Sequence, residues 1–234
     1  MAQAAHPTNA VAFQVNRAME TIPPRRRRRR AALQKDKRFV YDLWAMALRR
    51  ILKFPAPELK KAAAEVANID GQIDEVLRDM AETMYAAPGV GLAAPQIGVA
   101  ERLITIDIDS ENPGVHLLKL VNPVITEREG SVLWEEACLS VADFAAEVRR
   151  SATVVVRAWT LDQEEIEIEA DGLLAVALQH ELDHLDGKLF IDRLSALKRD
   201  SYKRRIRKMI RDGVSLDDLP SRPSTEPSTE PSTE

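Results

Sequence analysis

Apolar side chains recur at two different periods along the chain. Between Gly71 and Ala87 they are spaced three, four and seven residues apart, as on one face of a helix. Apolar and polar residues then alternate, which is typical of strands, in four segments: 102–109, 117–121, 152–159 and 165–169. The middle of the chain therefore predicts one helix followed by several short strands.

Two further helices are predicted at the end of this pattern. One begins near Gly172, where Asp171 can cap it, and ends before Gly187, which suits the C′ position. The other is capped by Ser195 and ends at Gly213. Because the helices flank the strands without regular βαβ alternation, the pattern predicts an α+β fold with mainly antiparallel sheets. We expect the sheets to pack around the first of these two helices, with the second as a basic C-terminal helix.

Charge divides the chain more sharply than the formal net charge of −4 indicates. Residues 1–50 carry 12 basic and 3 acidic side chains, whereas residues 51–195 carry 12 and 27. The basic helix follows, and residues 214–234 are acidic again. An acidic middle between two basic segments is informative about partners.

Both ends of the chain lack the pattern of a packed core. Six consecutive arginines, Arg25–Arg30, follow two prolines, and PSTE occurs three times in the last fifteen residues. We therefore expect a basic and largely disordered extension over residues 1–50 and a disordered tail over 214–234. The folded, catalytic domain is expected to occupy residues 51–213.

Cysteine content and hydropathy bear on the compartment. A single cysteine forbids an internal disulfide, which suits a reducing environment, and no apolar run approaches the length of a membrane span. The arginine-rich start is compatible with an organellar transit sequence. Six consecutive arginines lack the usual amphipathic spacing of such sequences, so we favour a bacterial cytoplasmic protein.

The segment Gln179–His184 carries candidate chemistry. His180 and His184 are four residues apart, so on a helix both imidazoles project from one face and can bind one metal ion. Glu181 points near the same site and can take a proton from the attacking water. The alternative is a helix with polar groups that face solvent or are satisfied in the core. The many surrounding leucines predict a buried helix, and a metal would satisfy both rings there.

A catalytic site of this kind needs a third protein ligand. Asp186 and Asp192 lie downstream but not on the helical face of the histidines. Cys138 is the only cysteine, and its neighbours are carboxylates and a serine, although a lone cysteine is often just a small buried side chain. One cysteine with two histidines is a sound ligand set for Zn²⁺ or Fe²⁺.

Three segments together resemble the motifs of the peptide deformylase family. Gly89–Gln96 is similar to GxGxAAxQ, and Gln179–Gly187 to QHExDHLxG. Glu136–Ser140 is similar to EGCLS, except that Ala137 replaces the glycine. The similarity extends from about Ile51 to about Arg211.

The resemblance implies a metal-dependent hydrolase that removes the formyl group from N-terminal formylmethionine of new polypeptides and releases formate. Cys138, His180 and His184 would hold one divalent metal ion, Fe²⁺ in cells, which Zn²⁺, Ni²⁺ or Co²⁺ can replace. Glu181 would be the general base and then the acid that protonates the leaving amine. The catalytic set would be completed by two oxyanion donors, the amide of Gln96 and the N–H of Leu139.

The resemblance also implies that Val90, Gly91 and Glu136 line the groove for the peptide and the methionine side chain. Ala137 lies beside this groove, where its methyl group would narrow the space for substrate. If its φ were positive, alanine would also strain the backbone by about 1 kcal/mol or more.

The basic helix, over residues 195–212, raises the question of a partner. The helix carries eight basic and two acidic residues, so its electrostatic field is positive. We expect contact with ribosomal RNA, because the substrate emerges at the ribosome, rather than with DNA or a membrane. A solvated helix face is the alternative.

Two rival functions remain open. One is a zinc endopeptidase that uses the HExxH pattern, which the Cys138 segment disfavours. The other is a catalytically weakened relative that binds RNA or the ribosome, which Ala137 and the basic segments would allow.

Overall fold

The computed structural model describes residues 48–222. It contains three α-helices, which we name α1 (Gly71–Ala86), α2 (Gly172–Leu185) and α3 (Ala196–Arg211), and three short 3₁₀ helices. Its seven strands, in chain order, are β1 (Gly91–Ala93), β2 (Leu103–Ile106), β3 (Leu118–Glu129), β4 (Val132–Cys138), β5 (Val141–Arg150), β6 (Thr153–Trp159) and β7 (Glu165–Asp171). Most of the extension expected over residues 1–50, and the part of the expected 214–234 tail that begins at residue 223, lie outside the described residues.

The strands form two separate antiparallel sheets. Five of them pair in the order β1-β2-β3-β6-β7, and β4 and β5 form a hairpin of their own. The predicted α+β class with mainly antiparallel pairing is confirmed. The strands β1, β4 and β5 were not predicted from the alternation of apolar residues.

Helix α1 begins where its sequence provides a cap. The carboxylate of Asp70 accepts hydrogen bonds from the backbone N–H of Gln72 and of Ile73. The apolar side chains of the helix then recur on one face, where Ile73 and Leu77 are among those buried against β1 and β2. The predicted periodicity is therefore realised as a helix that ends one residue earlier, at Ala86.

Helix α2 is buried on most of its circumference. It contacts strands of the five-stranded sheet, and its leucines share one core cluster with Ile104, Leu120 and Val156. The prediction that Asp171 caps this helix is wrong in one respect, because Asp171 occupies the N-cap position but its side chain accepts no capping hydrogen bond. Gly187 has a φ of 69°, and a Cβ there would lie 2.7 Å from the carbonyl oxygen of Lys60, so glycine is required.

Helix α3 packs against the hairpin of β4 and β5. Ser195 caps it through a hydrogen bond from the N–H of Lys198, as expected. Tyr202 and Ile206 are its buried residues and join a core cluster that also contains Cys138 and Phe190. The helix is thus anchored beside the strand that carries the only cysteine.

The contacts of the domain continue beyond Gly213. Leu216 packs on the same cluster, and the carbonyl oxygen of Pro220 accepts a hydrogen bond from Asp143 N–H on β5. None of the helices between residues 48 and 222 is both long and apolar enough to cross a membrane.

Candidate metal centre

Three side chains with metal-binding atoms meet where β4 ends against α2. Cys138, His180 and His184 each offer one such atom, and these atoms lie within 4.8 Å of one another. Cys138 Sγ is 3.2 Å from His184 Nε2, and the two imidazole rings are 5.0 Å apart between centroids. Within residues 48–222, this is the one group of three or more His, Cys, Asp or Glu side chains found with such geometry.

The local sequence explains why these groups converge. The helical spacing puts both rings on one face of α2, one turn apart. Cys138 is the last residue of β4, directly after an irregularity in the pairing with β5 between Glu136 and Cys138. Irregularities of this kind re-aim side chains at the end of a strand, and the Cys138 thiol lies against His184 of α2.

The residues fit a divalent metal ion of the zinc or iron type. One thiolate and two imidazoles are donors that such ions prefer. His184 Nδ1 and Glu181 Oε2 are buried polar atoms without a hydrogen-bond partner among the described residues. His184 faces the cluster with its Nε2, so the unpaired oxygen of Glu181 is the atom that indicates space for a further group beside the ligands.

His180 is oriented by a carboxylate behind it. Its Nδ1 lies 2.8 Å from Glu136 Oε2, so its other nitrogen is directed toward the cluster. Both oxygens of Glu136 also accept hydrogen bonds from Arg150, at 2.6 and 2.8 Å. The Glu136 side chain is only 3% exposed. A role in lining the substrate groove stays a prediction for this residue, and its side-chain contacts do not support it.

Glu136 belongs to what we call the charge cluster, which consists of Glu136, Arg150, Asp183 and Arg193. Arg150 bridges Glu136 to Asp183, and Arg193 forms a two-point contact with Asp183. Burial alone would raise the pKa of Glu136 and of Asp183. Hydrogen bonds from Arg150 and His180 to Glu136, and from Arg193 and Arg150 to Asp183, outweigh burial and lower both pKa values. The same partners raise the pKa of Arg150 despite its burial.

Glu181 lies on the other side of the ligands. Burial raises the pKa of its carboxyl group to about 7. A Cβ on Gly91 would lie 2.4 Å from Glu181 Oε1, so only glycine leaves space for this carboxylate. The first motif and the HExxH pattern therefore touch at this point. A carboxyl group with such a pKa can both accept and release a proton near neutral pH.

Gln96 is held with its amide directed at the cysteine. Its Oε1 accepts a hydrogen bond from Ala93 N–H at 2.8 Å, which leaves Nε2 facing Cys138 Sγ at 3.7 Å and Ser140 Oγ at 3.1 Å. The side chain is almost fully buried. The amide donor is thus already in place beside the candidate ligands, so it does not have to reorient when negative charge develops there.

The remaining predicted site residues surround this centre. Leu139 follows Cys138 directly, and its Cδ1 would lie 2.8 Å from a Cβ on Gly89, so the first and second motifs are in contact. Val90 is 41% exposed, and its carbonyl oxygen accepts a hydrogen bond from Asp107 N–H. An exposed apolar side chain beside a buried polar site suits a groove for an apolar substrate group.

The strain considered for Ala137 does not arise. Asn122, Asp143 and Gln163 are the only non-glycine residues between 48 and 222 with a positive φ. Ala137 instead lies at the irregular pair between Glu136 and Cys138, in a backbone conformation that alanine adopts freely.

Sequence reasoning missed several supporting residues. Asp183 lies inside the third motif without having been assigned a contact, and Arg193 follows it by ten residues. Arg150 is 33 residues from its partner Asp183. No local pattern marks such a residue, because the contact depends on how β5 and α2 pack.

The amino-acid sequence of the chain is similar to those of known proteins. The family model described as polypeptide deformylase matches residues 48–200. The chain is 47% identical over 170 residues to a peptide deformylase of Syntrophobacter fumaroxidans, which covers 73% of this chain and all of that protein. It is 49% identical over 169 residues to one of Acidobacterium capsulatum, with coverages of 72% and 99%.

Solved structures give the same result. A peptide deformylase from Legionella pneumophila superposes with a TM-score of 0.65 at 44% identity, covering 71% of this chain and 98% of that one. A second, from Synechococcus elongatus in complex with actinonin, has a TM-score of 0.64 at 33% identity, with coverages of 75% and 92%.

Proposed function

The chain belongs to the polypeptide deformylase family, and from that membership we infer the reaction of its metal centre. It is a metal-dependent hydrolase that removes the N-formyl group from the N-terminal formylmethionine of newly made polypeptides and releases formate. The observation that carries this conclusion is the convergence of Cys138, His180 and His184 beside the buried Glu181.

We propose that Cys138, His180 and His184 hold one divalent metal ion per chain. When bound, the metal supplies a Lewis acid that polarises the formyl carbonyl and makes water a stronger nucleophile. Fe²⁺ is the proposed ion in cells, with Zn²⁺, Ni²⁺ or Co²⁺ as substitutes, because the mixed sulfur and nitrogen donors suit all four. A thiolate and neutral imidazoles are required, so we expect binding to release protons.

Glu181 is the proposed general base. Its carboxylate takes a proton from the attacking water and then returns it to the amine that leaves. Support comes from its position next to His180 and from a pKa of about 7, which suits both transfers near neutral pH. Gly91 supports the same role, because the backbone there leaves room for the carboxylate.

Gln96 and Leu139 are the proposed oxyanion donors. Gln96 Nε2 and the N–H of Leu139 would stabilise the negative charge on the formyl oxygen as its carbon becomes tetrahedral. A donor of this kind is typically worth about 3 kcal/mol of barrier. The hydrogen bond from Ala93 N–H to Gln96 Oε1 supports the assignment, because it fixes the orientation of the amide before substrate binds.

We propose that the methionine side chain and the following peptide bind along Val90, Gly91 and the β4 segment that contains Glu136. Val90 provides exposed apolar surface, and glycine at position 91 permits close approach of a substrate backbone. For Glu136, the proposal concerns the backbone, because its carboxylate is occupied by Arg150 and His180.

The architecture around the centre is proposed to serve it as a scaffold. Sheets surround the central helix α2, which carries HExxH, and the basic helix α3 closes the domain beside the β4–β5 hairpin. The burial of nearly all of α2 and the contact of Tyr202 with the carbonyl oxygen of Ala142 support this description.

We further propose that α3 contacts ribosomal RNA in the cytoplasm of a bacterium, and that the chain has no DNA or membrane partner. Lys198, Arg204, Arg207 and Lys208 are exposed on this helix, whereas Arg205 is engaged with Asp143. Sedimentation with ribosomes should fall when Lys203, Arg204 and Arg207 become Glu, with formate release from a free tripeptide unchanged. Unchanged sedimentation would contradict the proposal. An organellar location would require residues 1–50 to act as a transit sequence, and most of these residues lie outside the described part.

The decisive experiment for the reaction is formate release from formyl-Met-Ala-Ser by protein prepared without oxygen, with metal analysis of the same sample. We expect formate with about one metal ion per chain. Absence of formate at that metal content would overturn the function and favour the weakened, RNA-binding relative. Cleavage of internal peptide bonds in unformylated peptides would favour the endopeptidase.

A further inference from the structure

Three consecutive residues at the start of the domain hold the two segments that carry the proposed oxyanion donors. Leu52 N–H donates to the carbonyl oxygen of Gln96 at 2.7 Å, and Phe54 N–H donates to that of Ser140 at 2.8 Å. Between them, Lys53 Nζ donates to the carbonyl oxygen of Leu139 at 2.7 Å. The segment 52–54 therefore ties the first motif to the second.

The contact of Lys53 continues to the metal-binding sulfur through one peptide unit. The carbonyl of Leu139 and the N–H of Ser140 belong to the same peptide bond. That N–H lies 3.4 Å from Cys138 Sγ and donates to it. Hydrogen bonds in series polarise one another, so a cation on the carbonyl strengthens the donor at the other end of the peptide.

Two opposing effects act on the charge of Lys53, burial and the charges of its neighbours. Asp217 is near enough to favour the charged form of Lys53, but its carboxylate is bonded to Arg50. Burial lowers the pKa of Lys53, and the charges of Cys138 and Asp217 oppose that effect. The hydrogen bond to the Leu139 carbonyl oxygen compensates the half-buried ammonium group.

We propose that Lys53 is a positioning residue of the metal centre. Its ammonium group fixes the peptide unit between Leu139 and Ser140. In that position the Ser140 N–H stays on Cys138 Sγ, and the segment that carries the Leu139 N–H is held in place. The inference rests on the proposed function for its catalytic consequence, but its effect on the thiolate concerns metal binding alone.

The test compares Lys53→Met with Lys53→Arg and with Lys61→Met. Methionine keeps the length of the side chain and removes the charge. Arginine keeps the charge, and its guanidinium group can donate to the same carbonyl oxygen. Lys61 is exposed on the same stretch of chain and serves as the matched control.

The first readout is the rate at which zinc-loaded protein loses its metal to a chelator. Outer contacts of metal ligands typically change affinity by about tenfold or more, so we expect Lys53→Met to lose zinc about tenfold faster than wild type. Lys53→Arg should recover most of the retention, and Lys61→Met should match wild type. In cobalt-loaded protein, the sulfur-to-cobalt absorption band should shift in Lys53→Met alone.

The second readout is the kinetics of formate release. We expect Lys53→Met to lower kcat about tenfold with KM little changed, because the lost contact supports the transition state rather than substrate binding. Wild-type zinc loss together with wild-type kcat in Lys53→Met would overturn the proposal, whatever its melting temperature.

Two provisions keep the outcomes distinct. If Lys53→Met does not fold, Lys53→Gln removes the charge with a polar side chain, and the same losses are expected of it. If wild-type protein releases no formate, the proposed function fails while the zinc and cobalt measurements still decide the role of Lys53.

Discussion

The metal centre and the charge cluster are two buried polar regions on either side of the His180 ring, and they differ in how their polar atoms are compensated. In the charge cluster, Arg150 joins the carboxylates of Glu136 and Asp183. In the metal centre, Glu181 Oε2 and His184 Nδ1 have no partner among the described residues. The charge cluster is satisfied within the chain, whereas the unpaired carboxylate oxygen of Glu181 lies beside the proposed metal ligands.

The largest expected effect is a loss of catalysis in the metal centre. Glu181→Gln should lower kcat for formate release by about 10³-fold, because a general base contributes roughly that factor. Metal content and melting temperature should stay close to wild type, since Glu181 is not a proposed ligand. A variant with more than a tenth of wild-type kcat would contradict the assignment of the base.

The next largest effect is a loss of stability when the charge cluster is broken. Arg150→Met should reduce the free energy of unfolding by about 3 kcal/mol, because it leaves two buried carboxylates without their shared cation. Denaturant titration measures the loss. Arg157→Met is the matched control, because Arg157 is exposed on the sheet and pairs with the exposed Glu165. The change in the free energy of unfolding there should stay below about 1 kcal/mol. Equal losses for the two variants would show that the cluster carries no special stability.

Gly91, whose backbone lies next to Glu181, tests how the carboxylate of the metal centre is held in position. Gly91→Ala introduces a Cβ that would meet Glu181 Oε1, so the carboxylate must move. We expect kcat to fall about 10²-fold, which is the typical cost of misplacing a catalytic group by about 1 Å. Gly71→Ala is the control, because a Cβ there meets nothing within 4 Å. A fully active Gly91→Ala variant would mean that Glu181 is not held by this contact.

The smallest effect concerns a buried carboxylate that lies outside both regions. Burial raises the pKa of Asp107, but hydrogen bonds from Tyr85 and Gly114 outweigh it and lower that pKa. Since the folded pKa lies below the unfolded value of about 4, the stabilisation is present above that pH. It is lost as the pH falls through the lowered pKa.

Urea titrations at pH 6 and pH 3 measure this effect. Wild type should lose more stability than Asp107→Asn over that interval, because the amide has no proton to take up. The same loss in both proteins would show that Asp107 contributes nothing to acid sensitivity.

The sequence predicted most of what lies on α2. Its histidines and Glu181 are close in the chain, and helical geometry alone brings them to one face. Helix α1 and four of the strands follow from periodicity, and helices α2 and α3 follow from the residues that flank them, Asp171, Gly187, Ser195 and Gly213. Cys138 was identified by its motif, and the structure places its sulfur beside His184.

The hairpin of β4 and β5 could not be predicted in the same way. Sequence patterns assume that charged residues face solvent, but Glu136 and Arg150 are buried there and stabilise each other. The alternation that indicates a strand is lost for that reason. Lys53 was also missed, since its contact with Leu139 spans 86 residues and has no local signature.

X-ray absorption of the zinc-loaded protein tests the proposed ligand set most directly. The account predicts one sulfur at about 2.3 Å and two imidazole nitrogens at about 2.0–2.1 Å from the zinc. In Cys138→Ser the sulfur contribution should disappear. A wild-type spectrum with nitrogen and oxygen ligands only would contradict the assignment of Cys138 and, with it, the centre on which the proposed mechanism depends.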